Sequence, residues 1–182
     1  MSLKEILPLK GLILIRPQVY SDNRGYFFES YNAEKMLGST FEEVFVQDNE
    51  SMSHKGVLRG LHFQNPPYAQ GKFVRVVKGS VMDVAVDIRK SSPTYMEYYA
   101  VELNEENKLM LYIPPGFAHG FITLEDSTLF QYKCTNYWNK ASESGIRWDD
   151  KQLNIDWKIN NPLLSEKDLA LPLFSNAINL FD

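Results

Sequence analysis

Val81-Met82-Asp83-Val84-Ala85-Val86-Asp87-Ile88 is a valine-rich, strand-like run with no glycine or proline inside it. Successive side chains of a strand point to opposite faces, so Val81, Asp83, Ala85 and Asp87 share one face and Met82, Val84, Val86 and Ile88 the other. The same reading extends outward. In Leu129–Thr135, Phe130, Tyr132 and Cys134 face away from Gln131 and Lys133. Further short β-rich runs occupy Leu12–Arg16, Tyr26–Ser30, Phe45–Gln47, Val57–Phe63, Phe73–Lys78, Tyr98–Leu103, Leu109–Ile113 and Phe121–Leu124. Turn signals such as Ser-Asp-Asn-Arg-Gly, Asn-Pro-Pro, Lys-Gly-Ser and Pro-Pro-Gly separate them. Helix is scarce: Asn32–Leu37 suits a short one stopping at Gly38, and Ser165 suits an N-cap over Glu166–Leu169. Many short strands and little helix predict an all-β jelly-roll barrel with a few short helices, whose mouth collects inward side chains from separate strands.

The bulk numbers set limits. At 182 residues the chain is long enough for one domain, taken as residues 1–182. A net charge of -4 gives no field for nucleic acid or an anionic membrane, so an anionic ligand must be held by a few local cations. The single cysteine, Cys134, excludes an intrachain disulfide and a Cys-rich zinc site. The N-terminal residues carry charges where a signal peptide needs an apolar core, and no apolar run approaches the ~20 residues that span a bilayer. A soluble protein of the cytoplasm, with no membrane partner, is the simplest expectation.

Chemistry concentrates in Gly56-Val57-Leu58-Arg59-Gly60-Leu61-His62-Phe63-Gln64, with Lys72 a short loop downstream. A cation and an imidazole in an apolar strand are costly unless partnered or employed. Alternation puts Leu58, His62 and Gln64 on one face, and the mid-strand Gly60 suggests a bulge that re-aims Arg59 toward the same cavity. Metal-binding cupin barrels place two histidines one residue apart on such a strand; here the motif reads His62-Phe63-Gln64, and an amide is a poor transition-metal ligand. No metal or other cofactor is therefore expected. His62 is then either a satisfied core histidine or a general base, and Arg59, Lys72, Arg75, His119 and Tyr132 on neighbouring runs favour the base. A tyrosine that accompanies a histidine can serve as the acid, and an ammonium can stabilise an oxyanion. Those parts suit proton abstraction next to a carbonyl. The bland alternatives are a core aromatic for Tyr132 and a solvated turn residue for Lys72.

Blocks along nearly the whole chain resemble the dTDP-4-dehydrorhamnose 3,5-epimerase family, metal-free cupin-type enzymes. They are Asp22–Glu29, Phe45–Ser51, Gly56–Gln64, Gln70–Val76, Gly79–Arg89, Ile113–Phe121, Tyr132–Thr135 and Gly145–Asp149, in order and at matching separations. The resemblance implies a cupin-like jelly roll acting on dTDP-4-keto-6-deoxyglucose. In it His62 removes protons from C5 and C3, Lys72 stabilises the enolate, Tyr132 is the acid on the opposite face, and Asp168 sets the tautomer of His62. It also implies that Arg24, Arg59 and Lys167 hold the pyrophosphate, and that Glu29, Gln47, Asp48, Asn49, His119 and Glu143 line the thymidine or sugar sites. Trp138 falls where the family usually has a tyrosine stacking on thymine, and Gly71 where it often has a bulkier residue. Members are typically homodimers that exchange N-terminal strands. The competing readings are a mono-epimerase of a related keto sugar, a non-catalytic sugar-nucleotide-binding barrel and a metal-dependent cupin enzyme.

Overall fold

The computed structural model describes residues 3–36 and 44–182. Its strands are β1 (Leu3–Ile6), β2 (Ile13–Arg16), β3 (Tyr20–Asp22), β4 (Gly25–Phe27), β5 (Gln47–Ser53), β6 (Leu58–Gln64) and β7 (Lys72–Lys78), followed by β8 (Ser80–Asp87), β9 (Tyr98–Asn104), β10 (Met110–Ile113), β11 (Phe117–Thr123), β12 (Thr128–Cys134) and β13 (Glu143–Gly145). Two one-turn helices, α1 (Ala33–Met36) and α2 (Glu166–Leu169), complete the regular structure with a 3-10 turn at Phe174–Asn176. Ser165 caps α2 as expected, its Oγ accepting from the Asp168 N–H at 3.1 Å. The expected helix stop at Leu37–Gly38 lies outside the described residues. Among the described residues no helix is long and apolar enough to cross a membrane.

Two antiparallel sheets face one another as a cupin-like jelly roll. One runs β1-β2-β10-β7-β12-β5 and the other β13-β6-β11-β8-β9, while β3 and β4 form a separate hairpin. The N-terminal strand pairs with its own chain, Leu3 opposite Arg16 and Ile6 opposite Ile13. Alternation in β8 sorts side chains as expected: Val81 and Ala85 join the core between the sheets, with Leu14, Val74, Leu111, Phe117, Phe121 and Phe130. Val84, Val86 and Ile88 face the other way, where the C-terminal region covers the sheet with Ile146, Leu153 and Trp157.

Two readings are corrected. The strand expected at Phe45–Gln47 is instead β5, Gln47–Ser53. Its period of two survives in polar residues, because its inward face, Gln47, Asn49 and Ser51, lines a cavity and not the apolar core. Leu58 does not share a face with His62. It packs on the outer side with Leu61 and Phe63, because the three steps of β6 from Arg59 to His62 match only two steps of β11, Phe121 to His119. That bulge turns Arg59 toward the cavity beside His62. Glycine is required there: Gly60 has φ +126°, and a Cβ on it would meet Gly120 Cα at 2.5 Å and the His119 carbonyl at 2.8 Å.

Candidate active site

The barrel opens into a cavity of two lobes, about 360 Å³ and 280 Å³, which share His62, Lys72, Tyr132 and Glu143. Each comes from a different element. β6 supplies Arg59, His62 and Gln64, β7 begins with Lys72, β12 supplies Tyr132 and Cys134, and β11 supplies His119. Glu143 stands on β13 and Asp168 on α2. In the register, His62 lies opposite His119, and Lys72 opposite Cys134.

His62 Nε2 lies 2.6 Å from Asp168 Oδ1. Burial would raise the pKa of Asp168, but hydrogen bonds from His62, from Ser165 Oγ at 2.7 Å and from the Gly60 backbone outweigh it and hold the carboxyl below its usual range. An ionised carboxylate only accepts, so the proton between them sits on His62 Nε2, which makes Nδ1 the nitrogen that carries the lone pair whenever the imidazole is neutral. Among the described residues Nδ1 has no hydrogen-bond partner, and the side chain is 28% exposed, open to the cavity. This is the geometry of a base with its rear nitrogen anchored.

Lys72 brings its ammonium into the same space without a hydrogen bond or ion pair among the described residues. Burial pushes its pKa below the ordinary lysine range, against the opposing pull of Cys134, Asp83 and Glu143. Burial likewise raises the Tyr132 phenol, with Cys134 acting the same way and Arg59 against it. Tyr132 therefore stays protonated and able to donate. His119 Nε2 reaches the fully buried Asp83 Oδ2 at 2.9 Å. Its burial lowers its pKa in spite of Asp83, with Lys72 and His62 adding to the fall. Asp83 Oδ1 is buried without a hydrogen-bond partner among the described residues.

At the cavity mouth, Gln47 donates to Asn49 Oδ1 at 3.0 Å and accepts from the Trp138 N–H at 3.1 Å. Lys167 pairs with Glu143 at 2.6 Å, and Arg59 Nε donates to Ser53 Oγ at 3.1 Å. The cavity thus brings together His62, Lys72, Tyr132, Asp168, Gln47, Asn49, Arg59, His119, Trp138, Glu143 and Lys167. Three expected site residues lie elsewhere. Arg24 sits on the exposed β3–β4 hairpin paired with Asp22, and Glu29 pairs with Lys35 and Asn32. Asp48 points out of β5 and holds Lys133 Nζ at 2.9 Å. Sequence reasoning did not assign Gln70, Cys134 or Ser51 to the cavity, although the alternation of β12 and β5 carries the signal for the last two. Among the described residues no group of three or more His, Cys, Asp or Glu side chains is arranged to hold a metal ion.

The chain matches known proteins along nearly its whole length. The sequence pattern of the dTDP-4-dehydrorhamnose 3,5-epimerases matches residues 6–176. A dTDP-4-dehydrorhamnose 3,5-epimerase of Shigella flexneri is 55% identical over 172 residues, 93% of this chain and 94% of that protein. The crystal structure of dTDP-6-deoxy-D-glucose-3,5-epimerase from Legionella pneumophila, in complex with dTDP-4-keto-L-rhamnose, superposes with TM-score 0.93 at 44% identity, covering 97% and 94% of the two chains. A 3'-monoepimerase from Streptomyces bikiniensis, in complex with dTDP-quinovose, superposes with TM-score 0.87 at 31% identity over 93% of this chain and 86% of that one. Matched along nearly its whole length in sequence and in fold, the chain belongs to the dTDP-4-dehydrorhamnose 3,5-epimerase family.

Proposed function

We propose that this chain is a dTDP-4-dehydrorhamnose 3,5-epimerase, an isomerase that converts dTDP-4-dehydro-6-deoxy-D-glucose to dTDP-4-dehydro-L-rhamnose in dTDP-rhamnose biosynthesis. The observation that carries the reading is the His62–Asp168 pair opening, at 2.6 Å, onto the same cavity as Lys72 and Tyr132. C5 and C3 both flank the C4 ketone, so each proton is acidified by the same carbonyl. His62 Nδ1 takes the proton, and the electron pair of the C–H bond moves to the C4 oxygen as an enolate. Lys72 offsets that charge inside the barrel, where a cation acts more strongly than in water. Tyr132 returns a proton to the opposite face. Two groups are needed, because a base that returned its own proton to the same face would regenerate the substrate.

Arg59 and Lys167 supply local cations for the pyrophosphate, and Trp138 offers an indole face to the thymine. Gln47, Asn49, His119 and Glu143 supply polar contacts, and Asp48 supports them by tying Lys133 to the strand that carries Gln47 and Asn49. We further propose that the working unit is a homodimer in which Arg24 and Glu29 serve the cavity of the second copy. That neither residue lines the cavity of its own chain supports this, as does the exposure of Tyr20, Tyr26 and Phe27 on the β3–β4 hairpin. A second reading, inversion at one carbon only, is favoured by the likeness to a monoepimerase.

The test is deuterium wash-in followed by NMR, with the chelator-washed protein and dTDP-4-keto-6-deoxyglucose in D2O. Exchange with inversion at both C3 and C5 is expected. Exchange at one carbon selects the second reading. No exchange by a folded protein that still binds dTDP overturns both.

A further inference from the structure

One buried side chain that the proton transfers do not use joins two loops at the cavity mouth. Gln64 ends β6, two residues beyond His62, and is 4% exposed. Its Nε2 donates to the Tyr68 carbonyl at 2.7 Å and to the Tyr137 carbonyl at 3.1 Å, and its Oε1 accepts from the Asn139 N–H at 2.6 Å. Those backbone groups belong to two separate loops, before β7 and after β12. Both amide donors and the amide oxygen are engaged, a pattern that a carboxylate, an imidazole or a hydroxyl cannot reproduce.

Trp138 lies between two of these anchors. The residue before it gives its carbonyl to Gln64 and the residue after it gives its N–H. The Trp138 N–H itself goes to Gln47 at 3.1 Å. The indole is 56% exposed and lines the cavity, so side-chain packing does little to fix it. Its orientation is set by the backbone, which Gln64 grips on both sides of Trp138, with Gln47 on the Trp138 N–H and Gln70 on the Asn136 carbonyl at 2.7 Å.

We propose that Gln64 is the positioning residue of a nucleobase platform, tying the strand that carries His62 to the loop that presents Trp138. It governs affinity for the nucleotide and leaves the proton transfers to the residues deeper in the barrel. The proposal rests on the reading that Trp138 stacks on the thymine. Where a metal-binding cupin has its second imidazole, this chain uses the position to organise ligand recognition at the rim.

The test measures dTDP affinity by calorimetry, with KM, kcat and thermal unfolding, in Gln64→Met, Gln64→Glu, Trp138→Ala and the Gln64→Met/Trp138→Ala double variant. Loss of a stacked base contact should weaken dTDP binding about 5- to 150-fold in Trp138→Ala. Gln64→Met should weaken binding and raise KM about tenfold, while kcat moves by less than about threefold. The double variant should bind no more weakly than Trp138→Ala alone, because both changes remove the same contact. Gln64→Glu keeps the volume and the acceptor for Asn139, loses both donors, and should reproduce the rise in KM even if Gln64→Met does not fold.

Unchanged dTDP affinity in folded Gln64→Met or Gln64→Glu, with Trp138→Ala impaired, overturns the proposal alone. So does a fall in kcat at constant KM, or full additivity in the double variant. Unchanged affinity in Trp138→Ala removes the platform itself, and the stacking reading with it.

Discussion

His62 and His119 stand directly opposite one another on β6 and β11, and each holds a carboxylate on its Nε2. Asp168 reaches His62 at 2.6 Å and Asp83 reaches His119 at 2.9 Å. The two pairs share a chemistry and differ in setting, since the His62 side chain is 28% exposed and that of His119 is 7%. Burial, with Lys72 and His62 close by, keeps His119 below the ordinary histidine range against the pull of Asp83. A neutral, enclosed imidazole suits hydrogen bonding to a ligand, and the more open one suits accepting a proton from it.

Replacement of His62 by Ala should remove about 10²- to 10⁴-fold or more of the turnover while dTDP binding persists. Steady-state kinetics with calorimetry checks both halves. Near-normal turnover in a folded variant would take the base assignment away from His62.

Asp168 sits below the usual carboxylate range in the folded protein, so its ionised form favours folding. That contribution is complete above the unfolded carboxylate pKa and is lost as pH falls through the lower folded value. The stability gap between the wild type and Asp168→Asn should therefore shrink as pH is taken below about 4. Denaturant midpoints measured from pH 7 downward read this directly, and a gap that stays constant would contradict the shift.

Lys72→Met should separate activity from stability. Loss of the enolate's partner should cost about a hundredfold in kcat, on the order of 3 kcal/mol. The folded pKa of Lys72 is depressed by burial. The unfolded chain thus binds more protons between that value and the ordinary lysine pKa, and wild-type stability rises with pH across the window. Lys72→Met should accordingly be as stable as the wild type or more so at pH 7, with any advantage closing as pH rises toward about 10. Thermal melts across that range supply the check.

Tyr132→Phe keeps the ring beside Phe130 and removes the proton donor. Solvent deuterium should still exchange at the carbons that His62 can reach, but inversion should slow by about 10²-fold or more. Inversion at the wild-type rate would rule out the phenol as the acid.

Gly60→Ala should destabilise the protein by more than ~1 kcal/mol, because the added methyl meets Gly120 in a left-handed backbone that alanine disfavours. Its thermal midpoint should fall by several degrees, and a midpoint unchanged from the wild type would show that the crossing can relax.

The barrel was legible because short β-rich runs such as β8 and β12 recur between clear turn signals, with little helix-forming sequence between them. The base and its neighbours were legible because an imidazole and cations in apolar strands stand out. β5 was displaced in the reading because the inward side chains of Gln47–Ser53 contact a ligand cavity, which wants polar groups, and the usual apolar signal is absent. The orientation of Leu58 was misread because a single bulge reverses every face beyond it, and the cause lies in the opposing strand at Gly120. The anchoring role of Gln64 was invisible because its partners are backbone groups, which leave no trace in residue type.

Asp168 stands 106 residues beyond His62, on a one-turn helix too short to persist alone. The same turn also lines the cavity with Ser165 and Lys167, so it both closes the ligand space and anchors the rear of the imidazole. Loosening that one turn would remove a wall of the site and the hold on its base together, while the two sheets keep the pairing that makes the barrel.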